Sequence, residues 1–166
     1  TEHWQDAESL AIQQDLEDFL DLGGHHCMYD LSYFVGCPFR DGGRGTEIDP
    51  VTKKPYFDCY GLFRAVFKHI YGIDLPDVIV SCFNILEINR LYHTKKSQWQ
   101  KIDTPTEPCA VAMKSNPAHP RLISHFGVYI GRGRFIHTLE KTGSIISSVS
   151  DKYYSRCIEG FYKYEG

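Results

Sequence analysis

Hydrophobic residues recur with a helical period in the first half of the chain and with a period of two in the second. In residues 6–22, Leu10, Ile12, Leu16, Phe19 and Leu20 fall between acids and glutamines. This spacing predicts an amphipathic helix, stopped by Gly23-Gly24. Asp30 is placed to cap a short helix through Phe34 that ends near Gly36. The glycine-dense run from Gly36 to Gly45 continues through Asp49-Pro50 and Lys53-Lys54-Pro55 and reads as one long loop, a feature usually tied to function or disorder. Residues 59–71 carry the clearest helical stripe: Leu62, Phe63, Val66, Phe67 and Ile70, ended by Gly72 with Pro76 beyond it. A further helix is predicted over about 81–96 with Ile85, Ile88 and Tyr92 inward, followed by a linker-like 103–108.

From residue 109 alternation takes over. Residues 109–113, 122–130, 134–139, 144–149 and 158–164 read as strands. Turns fall at Asn116-Pro117 with His119-Pro120, at Gly131–Gly133, and at Thr142-Gly143. Helices followed by consecutive strands predict an α+β domain, its helices on one side of a small antiparallel sheet of about five strands. The domain is placed at 31–166, with 1–30 as a helical extension.

Composition narrows the function. A chain of 166 residues suits one domain with one core, and 42% hydrophobic content is ordinary for a globular protein. A net charge of −3 gives no basic field for nucleic acid. No apolar run approaches a membrane span, so no membrane insertion is expected. Six cysteines, at 27, 37, 59, 82, 109 and 157, include no CxxC pair. They read as reduced thiols, five of them packing residues. His25-His26-Cys27 is a conceivable metal cluster but lacks a second ligand pair, so neither a metal nor a cofactor is expected.

The remaining cysteine, Cys59, follows Asp58 at the start of the 59–71 helix. Asp58 suits the N-cap, and the free amides and positive dipole end of the first turn favour a thiolate. They predict a thiol pKa well below the roughly 8.5 of a free cysteine and a place to hold an oxyanion. A buried packing cysteine is the commoner role for such a residue taken alone. In Ser124–Ile130, alternation puts Phe126, Val128 and Ile130 on one face and His125, Gly127 and Tyr129 on the other. Gly127 is expected to let a helix approach. A three-residue loop at Gly131-Arg132-Gly133 pairs Gly127 with His137, so that His125 and His137 lie diagonally on one face, about 7–8 Å apart at Cα. A two-residue loop puts them on opposite faces. On the first register Cys59 is the candidate nucleophile, His125 its base, and His137 the residue that orients the base.

The motifs Asp58-Cys59-x-Gly61-Leu62, Gly72-Ile73-x-Leu75-Pro76, His125-x-Gly127-Val128-Tyr129-Ile130-Gly131 and Phe135-Ile136-His137 resemble those of the NlpC/P60 cysteine peptidases over residues 31–164. The resemblance implies a papain-like α+β fold and cleavage of a peptidoglycan stem peptide, often next to D-glutamate, by Cys59, His125 and His137 through a thioester. Tyr60, Gly42-Gly43-Arg44 and the closing 153–162 stretch resemble the phage tail-assembly subgroup. That implies a place in a virion tail, with other tail proteins as partners and the host cytoplasm as the site of assembly. A secreted or periplasmic bacterial wall hydrolase or toxin, and a tail protein without activity, are the alternatives. Candidate substrate contacts are Asp58, Tyr60 and Tyr129 with Arg40, Asp41 and Arg44, the last three for charged stem-peptide groups. Phe39 stands where many members carry a tyrosine hydroxyl, and Pro108-Cys109-Ala110 where many open the strand with Gly-Asp.

Overall fold

The computed structural model describes residues 30–166. The predicted 6–22 helix and His25-His26-Cys27 lie outside them. Helix α1 (Leu31–Phe34) is capped by Asp30, which accepts the Tyr33 amide at 3.2 Å. The glycine-dense loop contains a hairpin of β1 (Arg44–Ile48) and β2 (Pro55–Phe57). Its turn is closed by Asp49, which accepts from the Thr52 hydroxyl at 2.7 Å and the Val51 amide at 3.2 Å. Sequence alternation missed this hairpin because most of β1 is exposed and carries no apolar face.

Helix α2 (Cys59–Tyr71) matches its predicted span. Leu62, Phe63, Val66 and Phe67 are buried on its inner face, each contributing roughly 1.5–3 kcal/mol by leaving water. Helix α3 begins later than expected (Ile85–Lys95), capped by Asn84, and none of its residues is fully buried. No helix among the described residues is long and apolar enough to cross a membrane.

The sheet has six antiparallel strands in the order β3-β8-β4-β5-β6-β7. They are β3 (Trp99–Ile102), β4 (Cys109–Met113), β5 (His125–Gly131), β6 (Arg134–Leu139), β7 (Gly143–Ser148) and β8 (Ile158–Tyr164), with helix α4 (Tyr154–Cys157) before β8. The edge strand β3 is the one that alternation did not show. Helix α2 packs on the face of Ala110, Ala112, Val128, Ile130 and Ile136. A second cluster on the other face joins Cys109, Val111, Met113, Tyr129, Phe135 and Cys157. Strand β4, central and buried along its length, serves both.

The chain fixes which way α2 lies on the sheet. At its C-terminal end the Tyr71 hydroxyl donates to Glu107 at 2.7 Å, and the Glu107 carboxylate lies against Gly131 at the end of β5. At the other end, the Phe57 amide donates to the Pro38 carbonyl at 3.1 Å, and the neighbouring Cys37 carbonyl accepts the Ser144 amide at 2.9 Å. Ser144 pairs with Thr138 near the close of β6, the end at which β5 begins. Cys59 and His125 are therefore at the same end of the helix–sheet unit.

The loop before α2 lies directly on the helix's first turn. A Cβ added at Gly61 would overlap the Gly43 carbonyl oxygen, and one added at Gly43 would come within 2.8 Å of the Phe57 backbone. Two residues without side chains permit this backbone-to-backbone contact. Gly61→Ala is expected to destabilise the domain by about 1–3 kcal/mol through overpacking against atoms that cannot move aside. A urea-denaturation midpoint equal to wild type would contradict that packing.

Candidate active site

Asp58 sits at the N-cap of α2 and is 1% exposed. One carboxylate oxygen accepts the Gly61 amide at 2.7 Å and the Arg44 guanidinium at 2.7 Å; the other accepts the Gly42 amide at 3.0 Å. Such a saturated, buried carboxylate is a structural clamp, so Asp58 lies behind Cys59 with its oxygens turned to protein donors. Arg44 is used just as fully. It also bonds Asp77 at 2.9 Å, the Val78 carbonyl at 3.0 Å and the Gly43 carbonyl at 3.0 Å. Asp41 accepts from the Ser81 hydroxyl at 2.7 Å and the Cys82 amide at 2.9 Å. Burial opposes ionisation of Asp41, but these hydrogen bonds outweigh it and hold its carboxyl below the usual range.

Together these bonds strap the connector between α2 and α3, residues 74–84, across the start of α2. The Tyr60 hydroxyl adds a bond to the Pro76 carbonyl, and the Arg64 Nε another to Leu75 at 2.6 Å. Arg40 lies apart, paired with Glu47 and stacked over Tyr56 at 3.8 Å. Tyr129 also lies apart from the helix start. It is buried in the second cluster, and its hydroxyl accepts the Gly133 amide at 2.9 Å at the far end of β5. Of the six residues expected to contact substrate, the structure gathers Asp58, Tyr60, Asp41 and Arg44 around Cys59, each bonded to another part of the protein.

The histidines meet on one face by a route that parity alone did not show. Val128 pairs with Ile136 and Tyr129 with Phe135, but Gly131 pairs with Arg134, so the register slips by one between Tyr129 and Gly131. A two-residue turn at Arg132-Gly133 is thus offset by a bulge, and the strand beyond it has the face assignment of a three-residue loop. His125 Nε2 lies 2.8 Å from His137 Nδ1, and His137 Nε2 lies 2.8 Å from the Ser147 hydroxyl on β7. Phe135 and Tyr154 flank the His137 ring at 4.6 and 5.0 Å. Gly127 does not admit a helix as expected. Its missing side chain leaves room for Phe135 and His137 of the adjacent strand. Ser147 escaped sequence reasoning, although the β6–β7 register, with His137 opposite Ile145, places it diagonal to His137.

Burial sets the protonation states. It pushes the His125 imidazole down to about 4. Burial, with the charge of His125 adding to it, pushes His137 down to about 2. The Cys59 thiol moves the opposite way from the sequence expectation. Burial and then the Asp58 charge push it up to about 12, against the amides of Tyr60 and Cys59 and the Arg44 charge, which pull it down. The helix start does favour the thiolate, but removal from water under the connector is the larger effect. At neutral pH the site holds a thiol and two neutral imidazoles. The five described cysteines are all unpaired, and Cys82 shares the wall of a cavity with Cys59.

Phe39 presents no hydroxyl here; its ring packs on Phe83 at 6.1 Å. The backbone amides of Cys59 and Tyr60, which pull the thiol pKa down, are the donors nearest the sulfur at the helix start. Among the described residues no group of three or more His, Cys, Asp or Glu side chains is gathered as for a metal.

The architecture is an α+β unit in which a helix-borne thiol and a hydrogen-bonded histidine pair on the sheet share one end. The chain belongs to the NlpC/P60 family, whose model matches residues 36–162. It is 30% identical over 123 residues to the probable endopeptidase NlpC homolog of Haemophilus influenzae, covering 74% of this chain and 53% of that protein. It thus spans about half the length of that relative. It is 24% identical over 155 residues to the murein DD-endopeptidase MepS/murein LD-carboxypeptidase of Escherichia coli strain K12, covering 90% of this chain and 70% of that one. The crystal structure of a protein similar to a lipoprotein of the NLP/P60 family from Staphylococcus aureus subsp. aureus Mu50 has the same fold, with a TM-score of 0.51 at 22% identity over 82% of this chain and 39% of that one.

The buried histidines carry a pH signature. Their folded pKa values, about 4 for His125 and about 2 for His137, lie below the ordinary 6.5. Below that value the unfolded chain binds protons that the native state refuses. Stability is therefore complete above about pH 6.5 and falls as pH drops toward 4, each histidine adding about 1.4 kcal/mol per pH unit. Urea midpoints measured between pH 7 and pH 5 are expected to fall steeply in wild type and more gently in His125→Gln/His137→Gln. Equal slopes would show that the pair is not buried in its neutral form.

Proposed function

We propose that this domain is a peptidoglycan stem-peptide endopeptidase that works through a Cys59–His125–His137 triad and a thioester intermediate. The observation that carries the reading is the histidine relay, bonded at 2.8 Å and ended at Ser147 by a second bond of 2.8 Å, at the same end of the fold as the amide-lined thiol. For His125 to act as base, its Nε2–H donates to His137 Nδ1, and the His137 Nε2–H donates to Ser147. That direction leaves His125 Nδ1 as the acceptor for the thiol proton.

Because thiol and imidazole are neutral at rest, proton transfer accompanies attack rather than preceding it. Cys59 Sγ bonds to the scissile carbonyl carbon as its proton passes to His125, and the Cys59 and Tyr60 amides hold the oxyanion. The imidazolium, oriented by His137, then protonates the leaving amine as the C–N bond breaks. Water hydrolyses the thioester with His125 again taking the proton. The names of the relatives, an endopeptidase and a murein endopeptidase, support this bond and this substrate class.

We place the domain in a phage or prophage tail that opens the wall. The support is the resemblance of Tyr60, Gly42-Gly43-Arg44 and the 153–162 stretch to tail-assembly members of the family. Wild type incubated with purified muropeptides is expected to release one defined fragment by mass spectrometry. Cys59→Ala is expected to release none, and His137→Gln to be slowed by about 10–100-fold, less than the 10²–10⁴-fold typical of a general base. Phage carrying Cys59→Ala should assemble yet infect poorly. Undiminished cleavage by Cys59→Ala would sink the mechanism, and normal infection the tail role.

A further inference from the structure

Arg40 and Arg44, the cations that the sequence offers to a charged substrate, are engaged within the protein. Free cations gather elsewhere, in a groove of about 680 Å³ between the C-terminal end of α3, strands β3 and β8, and the loop from β4 to β5. That size falls in the roughly 300–1,000 Å³ range of sites that take small ligands. Lys96 just past α3, Lys101 on β3, and Lys114 and Arg121 in the β4–β5 loop stand around it, all four exposed. The one carboxylate in its wall, Glu159, is already filled. It accepts from the Tyr162 hydroxyl at 2.7 Å, the Lys101 ammonium at 3.0 Å and the Tyr92 hydroxyl at 3.2 Å. No carboxylate among the described residues pairs with Lys96, Lys114 or Arg121.

The backbone that carries these cations is held in place. The Ile123 amide donates to Asn89 of α3 at 3.0 Å, and the Lys114 amide donates to the Cys157 carbonyl at 2.8 Å. Like charges fixed around one concavity repel each other, and the concave wall focuses their field, so an entering anion is attracted by all of them at once. Arg121 supplies a planar fork that matches a carboxylate, and Lys96 and Lys114 act as point charges. The groove also adjoins the proposed catalytic residues. It shares Tyr92, Lys96, Trp99 and Tyr162 with the space beside Cys59. Ile123 in its wall is two residues before His125, and Lys114 follows Met113, the register partner of His125.

We propose that this groove is an exosite that binds free carboxylates of the wall peptide, away from the bond being cut. The inference rests on the proposed peptidoglycan reading and adds to it a second, electrostatic point of attachment. Stem peptides display such carboxylates repeatedly along the wall polymer, so the groove raises the local concentration of substrate next to Cys59.

The test uses the Cys59→Ala protein, which is not expected to cut, and purified peptidoglycan sacculi as the probe. Co-sedimentation in about 50 mM salt gives the affinity. Adding Lys96→Glu/Lys114→Glu/Arg121→Glu is expected to weaken binding about ten-fold, since each exposed ion pair contributes a factor of roughly 1.4 to 5. The neutral Lys96→Gln/Lys114→Gln/Arg121→Gln set, which guards against misfolding of the first, should weaken it in the same direction. Lys53→Gln/Lys68→Gln/Lys152→Gln removes as much charge outside the groove and should stay within about two-fold of the parent. In about 1 M salt, where screening acts within about 3 Å, the variants should converge. Sacculi whose carboxylates have been amidated should bind the parent no better than the Glu variant, whereas sacculi stripped of phosphate polymers with hydrofluoric acid should bind it undiminished. No binding by the parent, equal binding by groove and control variants, binding that survives amidation, or binding lost with the phosphate polymers would each overturn the exosite. Muropeptide cleavage by the protein with Cys59 intact separates the claims. Cleavage without groove-dependent binding removes the exosite and leaves the hydrolase. Groove-dependent binding without cleavage leaves the exosite and removes the hydrolase.

Discussion

The buried carboxylate of Asp58 organises the site. It satisfies the Gly61 amide of α2, draws the Gly42–Arg44 loop onto the helix start and anchors a guanidinium that reaches on to Asp77 and Val78. The loop and the helix start converge on one anion, and Arg44 ties the connector to it. The loop can lie there because Gly43 and Gly61 have no side chains to hold the backbones apart. Without that clamp the connector would lose its main tie to the helix start, and Cys59 would face water.

The clamp also shapes the chemistry. By drawing the connector over the thiol it removes Cys59 from water, and by adding a negative charge beside the sulfur it opposes the thiolate. The histidine pair is kept neutral by burial of its own, with Phe135 and Tyr154 against His137. In the mechanism we propose, a site of this kind reacts by concerted proton transfer when substrate arrives. It does not keep a standing thiolate exposed to oxidants or stray electrophiles, which react with that form.

Much of this was legible in the sequence. The α2 stripe and the strands at Cys109–Met113, Arg134–Leu139 and Ile158–Tyr164 follow directly from periodicity, because each buries at least one continuous face. Strand β3 and the β1–β2 hairpin did not show, since they are short and half in solvent and carry no alternating apolar face. The histidine pairing was legible as a parity argument, but the bulge that preserves the parity was not. The roles of Asp41, Arg44 and Asp58 were illegible in a deeper sense. The partners of Asp41 and Arg44 lie 33 to 41 positions away, in a connector whose composition reads as a plain loop, and Asp58 meets Gly42 and Arg44 in the glycine-dense loop. The rise of the Cys59 pKa has the same origin: local helix electrostatics are visible in sequence, whereas burial by a distant segment is not.

The central claim is that Cys59 forms a covalent bond to the acyl part of its substrate. The most direct measurement is intact-protein and peptide mass spectrometry after wild type is mixed with muropeptide and quenched in acid within the first turnover. The account predicts an adduct equal in mass to the acyl fragment, confined to the peptide that carries Cys59 and absent from Cys59→Ala. Product release with no adduct at any quench time, or an adduct on another residue, would contradict it.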